Sequence, residues 1–254
     1  MSSKRGSPSS ATKSSSKRAR TYPVINHYNR DYQDSEADVT LVSSDRLEFK
    51  VHSYLLMANS IVFRDMLIIG DSSDRTIDLS DETIERSSTV SLFLQTCHGQ
   101  TPKFSTEKEV FCEYSDLIDF GKKYDAAPVL RMISASLYRW FHEIDFDPCH
   151  IFMLGCLLDR PEIVAFALRN SKCRVWSNNM LISEEEKAKA RNPIATLEDV
   201  VGVSWIDVSS WSLENLKTVP QAYLFAMLRA NKHGGTDAEM VANGFMKEMG
   251  EYTT

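Results

Sequence analysis

The sequence predicts an α+β protein in which a small sheet is packed with helices and followed by an all-helical C-terminal region. Three observations carry this prediction. Residues 37–67 hold two strand patterns joined by a tight turn, which run directly into two short helical patterns. Residues 75–80 (RTIDLS) add one further short strand. From Val90 onward the apolar stripes keep the spacing of buried helix faces.

In the first strand Val39 and Leu41 share one face while Asp38 and Thr40 take the other; in the second, Leu47, Phe49 and Val51 alternate with Glu48 and Lys50. A period of two marks half-buried strands. Ser43-Ser44-Asp45-Arg46 between them is polar and rich in residues that bond back to their own backbone, so the strands form an antiparallel hairpin. After Val51 the period becomes helical. His52-Ser53 opens a helix carrying Leu55, Leu56 and Ala58. Asn59-Ser60 ends it and supplies an N-cap for a second helix, with Val62, Phe63, Met66 and Leu67 on its inner side and Arg64 and Asp65 outside.

Val90, Phe93, Leu94 and Cys97 mark a third helix, stopped by the GQTP of residues 99–102. Thr106 with Glu109 reads as a capping box for a fourth, whose buried stripe is Val110, Tyr114, Leu117, Ile118 and Tyr124. Pro128 fits the first turn of a fifth, with Leu130, Ile133, Leu137 and Trp140 inside. Asp147-Pro148 starts a helix bearing Ile151, Phe152, Leu154 and Leu158, and Pro161 starts another bearing Ile163, Val164, Ala167 and Leu168. Residues 177–192 are polar, with Ser183 and Glu186 placed to cap a short exposed helix. A last apolar helix over 220–230 stops at Asn231-Lys232-His233-Gly234-Gly235. Residues 142–233 thus read as a helical region and 234–254 as a flexible tail. Residues 22–36, with Tyr22, Tyr28 and Tyr32 among polar neighbours, read as a loop or extended lead-in.

Asp38-Val39 at a strand start, Phe49-x-Val51-His52 at the end of the second strand, Leu55-Leu56, and Ser60-x-Val62-Phe63-Arg64 with Met66-Leu67 follow one another in an order that resembles the BTB/POZ family. RTIDLS and FGKKYDAAPVLRM (residues 120–132) continue the resemblance, which places a BTB/POZ domain at 32–141 without kelch repeats or zinc fingers. Its motif positions here are Asp38, His52, Phe63 and Arg64. The resemblance implies a protein-interaction domain and a weak homodimer formed through the outer surface that bears Tyr54, Arg64 and Asp65. Asp38 and His52 are expected to hydrogen-bond at the strand start and the helix start. Two departures from the family are plain: Ser53 stands where transcriptional members place Lys or Arg, and residues 66–71 (MLIIGD) lack the apolar-x-Glu motif of ubiquitin-ligase adaptors.

Charge is distributed unevenly. The chain carries a net −6, but residues 1–21 hold Lys4, Arg5, Lys13, Lys17, Arg18 and Arg20 and no acid, so the remainder carries −12. An acidic body argues against nucleic-acid binding by the folded part, which would need clustered cations. The tail is too polar to order itself and is expected to be disordered. Lys4-Arg5 and Lys17-Arg18-Ala19-Arg20 have the spacing of a bipartite nuclear import signal read by an import carrier, so the expected location is the nucleus, with the cytoplasm as the alternative.

Five widely spread cysteines point to reduced thiols, and the longest apolar run, 151–158, is far short of a membrane span. His142, Cys149, His150, Cys156 and Cys173 lack the paired short spacing of structural zinc ligands, and Cys97-His98 are adjacent helical residues that diverge by about 100°. No G-x-S-x-G, H-E-x-x-H or phosphate-cradling glycine loop is present. No catalytic residue, metal or cofactor is therefore expected. The chain reads as a non-enzymatic protein-protein interaction module, nuclear and in transcriptional regulation, with a substrate adaptor of a cullin-based ubiquitin ligase as the alternative.

Overall fold

The computed structural model describes residues 27–70, 75–100, 107–143, 146–171, 206, 208, 211, 213–234 and 237–252. β1 (Val39–Val42) lies at the centre of a three-stranded sheet. It pairs antiparallel with β2 (Glu48–Val51), which sets Leu41 opposite Phe49, and parallel with β3 (Thr76–Asp78), which sets Leu41 opposite Ile77. The turn between β1 and β2 places Arg46 at φ 66°. Asp45 holds this turn: its carboxylate accepts from the Ser43 hydroxyl at 2.6 Å and from the Ser87 amide and hydroxyl at 2.9 and 2.6 Å, so the hairpin is bolted to the helix that starts at Ser87. Burial pushes the Asp45 carboxyl up, but these hydrogen bonds outweigh it and hold the group below its ordinary range.

Helices α1 (Ser53–Asn59), α2 (Ile61–Ile69), α3 (Ser87–Cys97), α4 (Glu107–Lys123) and α5 (Ala127–Glu143) cover the sheet. Residues 27–36, ahead of β1, are pinned to β2: the Asn29 and Gln33 side chains both donate to the Glu48 carbonyl, and Tyr32 accepts from the Lys50 amide and joins the core. Cys97 is only half-buried, and burial pushes its thiol up to about 12.

α6 (Pro148–Leu157) starts as its sequence dictates, with Asp147 accepting from the Cys149 amide at 2.9 Å and proline in the first turn. Its residues from Pro148 to Cys156 are all buried, which makes it a central helix rather than a surface one. It meets α4 through Phe111 against His150, the residue at 211 through Phe152 against Trp211, and α7 (Pro161–Arg169) where Gly155 leaves room for Ile163 and Val164. A single cluster of buried apolar residues runs from Tyr32 to Met249, so the helical region shares its core with the domain before it.

The C-terminal end differs from the sequence expectation. After α8 (Leu213–Thr218), α9 extends from Gln221 to Gly234, and residues 234–254, expected as a flexible tail, contain α10 (Ala238–Tyr252). Val241, Ala242, Phe245 and Met249 are buried on α10, which packs on both α9 and α7. Gly234, the first glycine of the stretch that reads as a helix stop, lies tight against the returning chain: a Cβ there would meet the Val241 amide at 2.8 Å. Arg169 on α7 reaches Glu239 at 3.3 Å and Asn243 at 2.9 Å, and Arg229 on α9 reaches Glu248 at 2.9 Å. Lys4, Arg5, Lys17, Arg18, Arg20, Thr106, Cys173 and the polar stretch 177–192 lie outside the described residues.

Candidate interaction surface

The four motif residues fall around the α1–α2 helix pair, each with a distinct contact. Asp38 stands at the start of β1, where one carboxylate oxygen accepts from the Ser53 amide at 2.7 Å, giving α1 the N-terminal acceptor that His52 does not supply. Its other oxygen binds Arg75 at 2.6 Å, just before β3. The amide hydrogen bond, with Arg75 beside it, keeps this carboxyl below its ordinary range. His52 lies 3.3 Å from Asp34 through Nε2 and stacks on Tyr54 with ring centroids 5.6 Å apart.

Ser60 separates the two helices and serves both. Its Oγ accepts from the Phe63 amide at 3.0 Å and donates to the Tyr124 carbonyl at the end of α4. Phe63 is fully buried and packs against Tyr124, Phe93 and Phe120. Arg64, one residue on, turns outward and back: Nε and Nη2 both donate to the Met57 carbonyl, at 3.1 and 2.8 Å, tying off the C-terminal turn of α1. The α1–α2 pair is thereby fixed from below by an aromatic peg and from above by a guanidinium clamp.

A residue with no signal in the sequence completes the support. Glu85 is 1% exposed, yet it accepts from the Ser80 and Asp81 amides at 2.6 and 2.7 Å and from the Tyr124 hydroxyl at 2.6 Å, and it pairs with Lys123 at 2.7 Å. Burial raises its pKa, but the hydrogen bonds and Lys123 prevail and lower it on balance. An acid in a polar stretch such as DETIER gives no sequence signal of burial; only the three-dimensional ring of donors does.

Beside Arg64 and Asp65, the rigid pair presents an apolar set to solvent. Tyr54, Ile61, Met66, Ile68 and Ile69 are 66, 48, 44, 65 and 85% exposed. Met66 thus faces outward, against the sequence expectation that it shares the inner side with Phe63. The reason is geometric: at about 100° per residue the run Met66-Leu67-Ile68-Ile69 spreads over most of the helix circumference, and the core can take only part of it. That run was the readable signal for an exposed apolar surface.

Among the described residues no three metal-ligating side chains come together and no helix is long and apolar enough to cross a membrane. Cys149 and Cys156 are buried, and His150 sits between Phe111 and Phe146, where burial lowers its pKa to about 4.

The BTB/POZ domain profile matches residues 28–138, starting four residues before and ending three residues before the bounds of 32–141 expected from the sequence. This stretch of the chain is a BTB/POZ domain, a protein-protein interaction module, carried on an α+β fold with a helical C-terminal region. A search of curated proteins finds none similar to the chain.

Proposed function

We propose that the protein is a non-enzymatic interaction protein that works in the nucleus, in transcriptional regulation, and that the exposed α1–α2 face is its contact surface. The observation that carries this reading is the row of exposed apolar side chains, Tyr54, Ile61, Met66, Ile68 and Ile69, on two helices whose backbone is fixed by Ser60, Phe63 and Arg64. Ordering such a surface costs little on binding because the helices are already held. One occupant is a second copy of the chain in a weak homodimer; the Lys4-Arg5 and Lys17-Arg18-Ala19-Arg20 clusters would engage an import carrier. The test is affinity capture from native extract with the wild type and with Ile68→Asp/Ile69→Asp. Partners present with the first and missing with the second support the reading, and identical partner sets refute it.

The second reading, a cullin-ligase adaptor, draws on the way α6 is packed directly against α4 and α5, so that substrate bound to the C-terminal helices would be held rigidly relative to the domain. Binding of a purified cullin N-terminal domain at micromolar concentration would favour it over the first.

A further inference from the structure

Asp65 is an exposed acid set among the exposed isoleucines of the α1–α2 face. Ile61, Asp65 and Ile69 form one ridge of α2 at i, i+4 and i+8, with Ile68 beside it, so the neighbours of Asp65 one turn before and one turn after are apolar. The positions three and four residues away, Ile61, Val62, Ile68 and Ile69, hold no cation. Arg64 is next in sequence, but successive helical residues diverge by about 100°, and its Nε and Nη2 both donate to the Met57 carbonyl. Among the described residues the Asp65 carboxylate has neither a hydrogen bond nor an ion pair. It is also not in the first turn of α2, so it does not complement the N-terminal end of the helix.

This arrangement restricts the occupant. A wholly apolar surface laid over the isoleucines would strip water from the carboxylate and leave its charge unpaired, which opposes binding. An acidic surface would add repulsion. A cation flanked by apolar groups meets both demands, and the −12 carried by residues 22–254 draws cations toward the body. The shape of the face restricts the occupant further, because a ridge of four-residue steps packs into the matching groove of another helix.

We propose that the α1–α2 face takes an amphipathic helix of a partner protein whose apolar stripe is interrupted by one Arg or Lys, the cation meeting Asp65 and the apolar residues on either side of it resting on Ile61, Ile68 and Ile69. On the reading that this face is the contact surface, the isoleucines supply area and Asp65 supplies specificity.

Fluorescence polarisation on the full chain, in about 0.15 M salt, tests this with three labelled helical peptides of about 18 residues. They carry Leu, X and Leu at i, i+4 and i+8, with X as Arg, Gln or Glu, and are otherwise identical. The Arg peptide should bind about tenfold more tightly than the Gln peptide, with the Glu peptide weakest. Asp65→Asn should bring the Arg and Gln peptides together, and Asp65→Lys should invert the order and put Glu first. Circular dichroism should show unchanged helix content in both variants. Ile68→Ser/Ile69→Ser, which removes area without adding charge, should weaken all three alike. Equal binding of the three peptides, an order unmoved by Asp65→Lys, or no saturable binding of any at about 1 mM overturns the proposal. So does binding untouched by the double serine change, which would seat the peptides elsewhere. Self-association lost in Asp65→Lys with peptide affinities unmoved would give the face to a second copy and overturn it too. The contact surface itself fails separately, if affinity capture returns the same partners with Ile68→Asp/Ile69→Asp.

Discussion

The ring of Phe63 lies flat on that of Tyr124, with centroids 4.3 Å apart and planes 8° from parallel. Tyr124 also gives its carbonyl to Ser60 and its hydroxyl to Glu85, so one residue at the end of α4 anchors α2 by stacking, by its backbone and by a buried charge. Phe63→Ala should cost ~3–5 kcal/mol, since it removes a fully buried ring and leaves a cavity. Tyr124→Phe keeps the stack and removes only the donor to Glu85, for which ~1–3 kcal/mol is expected. Urea unfolding followed by tryptophan fluorescence would rank the two; equal costs would contradict the assignment of separate roles.

His150 gives a pH signature. Its folded pKa, about 4, lies below the ordinary value of 6.5, so the unfolded chain binds the extra proton first. Stability from this group is complete above about pH 6.5 and is lost as pH falls toward 4. At 1.36 kcal/mol per unit the limit is ~3 kcal/mol. Asp45 and Glu85 are lowered carboxyls, so their contributions are present above the ordinary carboxyl range and disappear only below it. Between pH 5 and 6.5 the slope should therefore belong chiefly to the histidine. His150→Phe, which fills the same aromatic slot, should flatten thermal stability across that interval; an unchanged slope would remove His150 from the account.

Self-association should be weak, near −8 kcal/mol or a micromolar dissociation constant. Sedimentation velocity on the full chain at about 100 micromolar should show dimer, and Ile68→Asp/Ile69→Asp should leave monomer, because two exposed apolar side chains at the centre of the face become charges. A wild type that stays monomeric at that concentration would exclude the dimer.

Nuclear entry should depend on both basic clusters. Changing Lys4, Arg5, Lys17, Arg18 and Arg20 to Ala in a fluorescent fusion too large to diffuse should leave it cytoplasmic. Unchanged nuclear fluorescence would assign entry to another part of the chain.

Much of this architecture could be read from residue order because its signals are local. The alternation in 39–51, the Ser60 cap, the Asp147-Pro148 helix start and the helical stripes each need only a few neighbours to be recognised. The parallel pairing of β1 with β3 has no such local mark, since a strand of three residues does not name its partner. The α1–α2 face is partly legible: Tyr54, Arg64 and Asp65 are exposed as expected, but apolar character alone does not tell which of Ile61, Met66, Ile68 and Ile69 the core leaves outside, and Met66, expected beside Phe63, is exposed. The last helix was hidden by Gly234 and Gly235, although Val241, Phe245 and Met249 keep helical spacing.

The return of α10 onto α7 has a temporal consequence. About 70 residues separate the end of α7 from the start of α10, and at ~5–20 residues per second the ribosome needs ~3–14 s to supply them. During that interval the nascent α6–α7 hairpin lacks one of its covers. A chaperone that recognises apolar helices has its opportunity in those seconds, and a slowed codon between the two helices would lengthen the exposure without altering a single contact in the finished molecule.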